Sequence, residues 1–354
     1  MTSFRSRALF VISTGLGFII LLLLMWRIRN VLLLAFAGVI VSVLLLAGTD
    51  SIKKRTGLGH GLALALMSLA TLAIVVIGFW LFLPPLITQI GQLSTTLPGQ
   101  LAQLENQVAG TEWGQALLAR IPSFSDLTSQ TGAILGRVTG ALSFTLNTLA
   151  NTLLVIVTGI FIASEPGLYR RGALHLVPPK HRDRAGRIMD KLSNTLRAWL
   201  VAQLIAMSAV GVLTWLGLLL IGVPAPLALG VIAGVLDFVP FFGPVLGALP
   251  ALLIALSEGL STLIWVALLY IVVQQLEGNL IQPLVQKKAV NIPPAVLVLA
   301  LVVMGQLFGI LGLLIATPLT AVVLVLVKQL YIDEIEHHGA DAAVPSSESE
   351  VSSS

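Results

Sequence analysis

The chain has 354 residues, of which 56% are hydrophobic and only 10% are charged, and its formal net charge is +4. Soluble globular proteins carry roughly 25% charged residues, so this composition excludes a water-soluble domain as the main architecture. Cysteine is absent, which excludes disulfides and thiolate metal sites. The basic residues lie at the ends of apolar runs rather than along one stripe, which argues against a nucleic-acid partner.

Long uncharged runs predict an all-α, multi-spanning membrane protein, because a helix needs about 20 apolar residues to cross the hydrocarbon core. The first three such runs are residues 8–25, 31–48 and 61–83. They predict three N-terminal transmembrane helices within residues 1–83 and no cleaved leader peptide. Arg27 and Arg29 separate the first two runs, so we expect them in an external turn.

The next two regions differ sharply in charge. Residues 84–140 carry apolar residues at spacings of three and four, which predicts an amphipathic external segment that packs on the membrane surface or on a neighbouring subunit. Residues 141–198 predict a fourth transmembrane helix followed by a basic cytoplasmic helix. The stretch 164–197 holds eight Lys or Arg against three acids, so the positive-inside rule places it, Lys53 and the N-terminus in the cytoplasm.

Residues 199–331 form the predicted transport core, and the acidic, Ser-rich residues 332–354 predict a disordered tail. Within the core, segments 223–254 and 292–318 each contain prolines 24 residues apart and central glycines. Split in the middle, each gives arms of about 18 Å, which are too short to span about 30 Å of hydrocarbon. The pattern predicts two re-entrant helical hairpins, with kinked packing helices as the alternative. The predicted hairpin breaks are Pro240, Gly243, Pro244, Gly305, Gly309 and Gly312.

A few polar residues lie within these apolar segments, where an ionisable side chain costs about 2.5–3.5 kcal/mol at the membrane centre. The candidate substrate-binding residues are Asp237, Gln306, Gln275, Glu277, Asn279, Gln282 and Gln203. Each also has a structural interpretation. Asp237 could cap the helix after the break, Glu277 could lie at the membrane interface, and the glutamines could join helices by hydrogen bonds.

Four stretches resemble the autoinducer-2 exporter (AI-2E) family, whose members are also called PerM-like permeases. They are LRAWLVAQL at 196–204, DFVPFFGPVLGALPA at 237–251, EGNLIQPLVQKKAVNIPP at 277–294 and GQLFGILGLLIATPL at 305–319. The resemblance covers nearly the whole chain up to about Tyr331. It implies a transporter of the bacterial inner membrane, with two helical hairpins, an elevator-like movement and a homo-oligomeric, pentameric assembly.

The leading hypothesis is therefore a secondary exporter of a small polar metabolite such as autoinducer-2. The alternative is a sodium or lithium/proton antiporter, which needs a carboxylate at depth, and coupling protons or sodium ions would then be partners together with membrane lipid. An enzyme is disfavoured, because no HExxH, Ser–His pair or GxxxxGK[ST] motif occurs in an apolar segment. We expect no catalytic residues, no metal and no cofactor. A purely structural membrane protein is the remaining alternative.

Overall fold

The computed structural model describes residues 2–77, 80, 146–283 and 292–332, and every regular element within these ranges is a helix. The helices are α1 (Thr2–Thr56), α2 (His60–Ile77), α3 (Leu146–Ser164), α4 (Pro166–His175), α5 (Arg182–Ile221), α6 (Pro226–Leu236), α7 (Phe242–Glu258), α8 (Leu260–Leu276) and α9 (Pro294–Val327). A π-helical turn, Glu277–Ile281, extends α8. The predicted external segment 84–140, the tail 333–354 and residues 284–291 lie outside the described residues.

Five of the described helices are long and apolar enough to cross a membrane, or six if α3 and α4 count as one bent span. The five lie within Trp26–Thr56, His60–Ile77, Pro179–Ile221, Leu260–Ile281 and Pro294–Leu330. The predicted fold class, an all-α membrane protein with several spans, is confirmed. Large apolar side chains cover the outside of these helices, as expected where the surrounding solvent is lipid rather than water.

Helix α1 corrects one prediction made from charge. It runs without a break from Thr2 to Thr56, so the predicted turn at Arg27 and Arg29 is wrong. The physical reason is that charged residues do not interrupt backbone hydrogen bonds, and no proline lies in this segment. Arg29 finds a partner in place, because its guanidinium stacks 4.0 Å from the centroid of the Trp26 ring.

The cytoplasmic helix and the fifth span, predicted as separate, also form one element. Helix α5 is 40 residues long and ends only at Gly222, which adopts a left-handed conformation (φ 87°). The predicted boundary at residue 198 therefore falls inside a helix. Near it, Arg197 forms an ion pair of 2.7 Å with Asp50 of α1. This contact brings the two predicted cytoplasmic regions to the same end of the molecule.

The segment 223–254 folds back on itself between α6 and α7, and we call Pro226–Glu258 hairpin 1. A Cβ on Gly247 would lie 3.0 Å from the Ala233 Cα atom, so the two arms pack closely and run in opposite directions. The turn occupies residues 237–241, which include the predicted break at Pro240. Gly243 and Pro244 lie just after it, in the first turn of α7, where proline is tolerated.

Helix α9 also folds back, and we call Pro294–Val327 hairpin 2. Its backbone is non-helical at Gly309 (φ 62°, ψ −141°), a conformation that is accessible to glycine almost alone. A Cβ on Gly312 would collide with the Met304 carbonyl oxygen, and one on Gly305 would lie 3.0 Å from the Leu313 side chain. Residues eight apart in a straight helix are separated by about 12 Å, so the chain reverses at Gly309.

Candidate functional site

A cavity of about 170 Å³ lies where α5, the turn of hairpin 1, the end of α8 and the base of hairpin 2 meet. Its polar lining comes from four chain regions that are far apart in sequence. The polar lining residues are Gln203, Asp237, Gln274, Glu277, Gln282 and Thr317, and the apolar ones include Trp199, Pro240, Phe241 and Leu297. The prediction of a polar cluster near the first hairpin break thus has a structural counterpart at residues 203, 237, 277 and 282.

Asp237 is the most buried ionisable residue of this cavity, with 2% of its surface exposed. Its backbone carbonyl oxygen accepts a hydrogen bond of 2.8 Å from Gln203 Nε2. Its carboxylate oxygen Oδ2 is buried and has no hydrogen-bond partner among the described residues. The alternative that Asp237 caps the following helix is wrong, because it follows the last residue of α6, and Phe241 is the N-cap of α7.

Glu277 is held in place by two amides. Its Oε2 accepts a hydrogen bond of 3.0 Å from Gln274 Nε2, and its Oε1 accepts one of 2.9 Å from Gln282 Nε2. Glu277 is 5% exposed, so it is buried in protein, and it lines the same cavity as Asp237. Hydrogen bonds to an ionised acceptor are worth about 1.5–3 kcal/mol each. The two glutamines therefore stabilise the position of a buried carboxyl group.

The turn of hairpin 1 is strained where it meets the cavity. Phe241 has φ 66° and ψ −44°, and the Phe242 backbone N–H donates a hydrogen bond of 2.8 Å to the Pro240 carbonyl oxygen. This three-residue pattern is a γ-turn with a positive central φ, a rare and strained form. A bulky residue in such a conformation costs on the order of 1–3 kcal/mol. Strain of this size persists only where neighbouring packing holds it.

Thr317 is a site residue that sequence reasoning missed. It is 4% exposed, lines the cavity, and its Oγ1 has no hydrogen-bond partner among the described residues. A threonine in an apolar helix is common, so the sequence carries no signal for it. Gln274 was missed in favour of Gln275, although its spacing of three residues from Glu277 places both on one helical face.

Three predicted site residues lie away from the cavity. Gln275, Asn279 and Gln306 are exposed and do not line it. Neighbouring residues in a helix point about 100° apart, so Gln275 faces away from the Gln274 side. Gln306 lies near the turn of hairpin 2, whereas the cavity meets the base of that hairpin. The role of these three in substrate binding stays a prediction.

No group of three His, Cys, Asp or Glu side chains that could hold a metal ion occurs within residues 2–77, 146–283 and 292–332. The cavity nevertheless brings together two carboxyl groups, three amides and a hydroxyl. Buried polar groups without protein partners are rare in folded proteins. This donor and acceptor set can accept hydrogen bonds from hydroxyls of a small solute or contribute oxygen atoms to a small cation.

Several apolar spans, two hairpins broken by proline and glycine, and a polar cavity between them define a helical membrane transport protein. The model of the AI-2E family transporters matches residues 16–332, and the chain therefore belongs to the AI-2E transporter family. The recognition made from the four sequence stretches is confirmed.

Three relatives agree with this assignment. A Bacillus subtilis protein whose name describes it as a transport protein, YrrI, is 28% identical over 323 residues, which are 88% of this chain and 89% of that protein. A second from that organism, YueF, is 30% identical over 68% of each chain. The Escherichia coli permease PerM is 26% identical over 68% of this chain and 67% of its own.

Proposed function

We propose that this transporter exports a small polar metabolite such as autoinducer-2 through the cavity beside hairpin 1. The observation that carries the proposal is the convergence of two carboxyl groups, three amides and a hydroxyl on one cavity. A solute that hydrogen-bonds to these groups gains binding energy, because leaving a buried polar group unpaired costs about 1–3 kcal/mol. A cavity of about 150 Å³ accommodates a benzene-sized molecule, which sets the size of the solute.

The position of the cavity supports loading from the cytoplasm. Gln203 lies six residues beyond Arg197 in α5, which is about 9 Å along the helix. Arg197 pairs with Asp50 near the basic residues Lys53 and Lys54. If the positive-inside rule applies to this end of the molecule, the cavity lies in the cytoplasmic half of the membrane, where an exporter would take up its solute.

Thr317→Val tests the proposal, because valine has nearly the same shape but lacks the hydroxyl. Proteoliposomes that contain the purified variant should release autoinducer-2 about fivefold more slowly at low solute concentration, since one hydrogen bond contributes on the order of 1 kcal/mol. Stability should not fall, because the lost hydroxyl has no hydrogen-bond partner among the residues that the structure describes. The measurements are transport rate and thermal unfolding on the same preparation.

Thr214→Val is the matched control. Thr214 is also fully buried in α5 and its Oγ1 also lacks a partner among the described residues, but it does not line the cavity. This variant should transport at the normal rate. Normal transport by both variants would contradict the assignment of the cavity. Loss of transport in both would assign the effect to helix packing.

An elevator-like movement of the hairpin region is part of the proposal. It is supported by the glycine contact between α5 and α6, where a Cβ on Gly230 would lie 2.7 Å from the Gly211 carbonyl oxygen. Small residues allow the backbones of hairpin 1 and α5 to approach closely, and we propose that the two move together. Helices α1 and α3 pack closely against each other at Gly38 and Gly159, and we propose that they form the fixed part.

A cross-link between α1, in the proposed fixed part, and hairpin 2, in the proposed moving hairpin region, tests the movement. The Arg29 guanidinium carbon lies 5.5 Å from the centroid of the Phe308 ring, and the chain has no cysteine. An Arg29→Cys/Phe308→Cys variant joined by a short bis-maleimide should stop transport. Each single variant treated with the same reagent should continue to transport. Undiminished transport by the fully cross-linked protein would exclude sliding at this contact.

The alternative function is sodium or lithium/proton antiport. It is favoured by one specific observation, the two buried carboxyl groups of Asp237 and Glu277 that line the same cavity. Two carboxylates in a low-dielectric site repel each other, and a bound proton or cation relieves this repulsion. Asp237→Asn should then abolish pH-dependent sodium or lithium exchange in vesicles, whereas Glu258→Gln on the exposed end of α7 should not. Retained exchange in Asp237→Asn would rule out this alternative.

We further propose residence in the bacterial inner membrane and a homo-oligomeric, pentameric assembly. The span in α2 is mostly exposed among the described residues, which supports contact with lipid or a second copy, and native mass spectrometry of the purified protein would count the subunits. The predicted cytoplasmic N-terminus required two crossings before Lys53, whereas a continuous helix that spans once has its ends on opposite sides. A reporter fused before Thr2 would identify the side.

A further inference from the structure

A second, larger hollow lies outside the transport cavity, at the end of the molecule that carries the basic residues. It has a volume of about 550 Å³ and lies between α4 and the first three turns of α5. Its charged lining residues are Arg170, Arg171, Arg182, Arg187, Asp183 and Asp190. Four guanidinium groups against two carboxylates leave this basic hollow with an excess of positive charge.

The arginines of the basic hollow use only some of their N–H donors in contacts with the protein. Arg170 is paired with Asp190 at 2.8 Å. Arg171 and Arg182 each donate Nε to a backbone carbonyl oxygen, that of Gly167 at 3.2 Å and that of Val177 at 3.1 Å. Their terminal Nη groups make no hydrogen bond within the described part of the chain, and the same holds for the whole Arg187 side chain.

These backbone contacts hold two guanidinium groups in fixed positions, with their outer N–H groups available to a ligand. A planar guanidinium binds a phosphate through two parallel hydrogen bonds, which favours an ordered anionic group over a diffuse counterion. The chemistry of the hollow therefore fits a phosphate or phosphodiester. The remaining question is whether that group is dissolved in water or belongs to a membrane lipid.

The orientation of α4 favours a lipid. The axis of α4 is bent by 88° from that of α3, so α4 lies along the membrane surface if α3 crosses the membrane. The side chains of Leu168, Tyr169 and Leu176 are 53%, 46% and 87% exposed, which gives this short basic helix an apolar surface. Helices that combine exposed apolar side chains with arginine lie at the headgroup level, where anionic lipids attract basic side chains.

We propose that the basic hollow binds the phosphodiester headgroup of an anionic membrane lipid, with α4 lying in the membrane interface. Arg171, Arg182 and Arg187 contact the phosphate, and Leu168, Tyr169 and Leu176 contact the glycerol backbone and the upper acyl chains. The lipid thereby joins α4 to the start of α5. This site is separate from the transport cavity, and it does not depend on which solute the cavity takes.

Lipid binding to the full-length protein tests the proposal. The protein is placed in nanodiscs of phosphatidylcholine with increasing fractions of phosphatidylglycerol, and bound lipid is counted by native mass spectrometry. Wild type should retain phosphatidylglycerol at least about tenfold more tightly than the Arg171→Gln/Arg187→Gln variant. Lys180→Gln/Lys191→Gln removes the same charge from residues that do not line the hollow, and it should bind as wild type does.

Three results would overturn the proposal. An equal loss in both double variants would reduce the effect to general surface charge. Equally tight binding of inorganic phosphate in phosphatidylcholine nanodiscs would assign the hollow to a dissolved anion. Retention of phosphatidylglycerol by the arginine variant would exclude the site. If the double variant does not fold, Arg187→Gln alone replaces it, because Arg187 is exposed and has no partner among the described residues.

Discussion

The two hairpins reverse the chain by different means. Hairpin 1 turns over residues 237–241, with the buried carboxyl group of Asp237 and a strained Phe241 at the polar cavity. Hairpin 2 turns at a single glycine, Gly309, and the neighbouring Phe308 packs near Arg29 of α1. The cavity therefore uses the turn of hairpin 1 but the base of hairpin 2. The two segments share a proline spacing of 24 residues and a similar backbone shape. This similarity does not make their two turns equivalent in function.

The largest expected effect concerns the polar residues of the two turns. Asp237→Ala should lower transport more than tenfold, because it removes an acceptor from the cavity, and a hydrogen bond to a charged group is worth about 1.5–3 kcal/mol. Gln306→Ala should retain at least half of the transport rate, since Gln306 is exposed and outside the cavity. Proteoliposome efflux measures both, and similar losses would make the two turns equivalent sites.

The second effect concerns the backbone at the turn of hairpin 2. Gly309→Ala should lower the free energy of unfolding by about 1–3 kcal/mol, because a Cβ is strained at φ 62° and ψ −141°. Gly167→Ala is its control, since a Cβ there would meet nothing within 4 Å and its φ is not positive. Thermal unfolding in detergent compares them, and equal midpoints would mean that the reversal at Gly309 is not required.

The opposite result is expected at the turn of hairpin 1. Phe241→Gly should raise stability by about 1 kcal/mol, because it relieves strain on the order of 1–3 kcal/mol and loses part of that gain to the greater freedom of glycine in the unfolded chain. The Phe241 ring is half exposed, so little packing is lost. A lower unfolding midpoint in the same assay would show that the ring, rather than the backbone, determines this turn.

The smallest effect concerns the contact between hairpin 2 and α1. Arg29→Gln should lower stability by about 0.5–1 kcal/mol, the usual size of a cation–π interaction at an exposed site. Lysine at this position should restore part of the loss. An unchanged midpoint in Arg29→Gln would mean that the stacking on Trp26 and Phe308 contributes nothing to the position of hairpin 2.

Local chemistry explains which parts of the fold could be predicted. Proline and glycine act on their own backbone, and Pro240 and Gly309 lie at the two points where the chain turns back. Charge acts through its surroundings, so Arg27 and Arg29 suggested a turn where the helix continues. The arginine is accommodated by aromatic rings from α1 and from hairpin 2, and the second of these lies almost 280 residues away in sequence.

Sequence alone could predict a site residue only where a polar side chain interrupts an apolar segment. Asp237, Glu277, Gln203 and Gln282 stood out among apolar neighbours, and the structure brings them together. Helical phase separates Gln274 from Gln275, because neighbouring residues in a helix point about 100° apart, and Gln274 is the one that lines the cavity. Thr317 could not be found, because the signal is its missing hydrogen-bond partner, which is a property of packing alone.

The continuity of α5 has a mechanical consequence. A rod without a hinge moves as a unit, and Gln203 is 21 residues from Arg182, or about 32 Å along the axis. A tilt of about 10° around the level of Gln203 would displace the Arg182 end by about 5 Å, close to one helical turn. Whatever holds that end, an anionic lipid included, acts on a lever whose pivot lies beside the polar cavity.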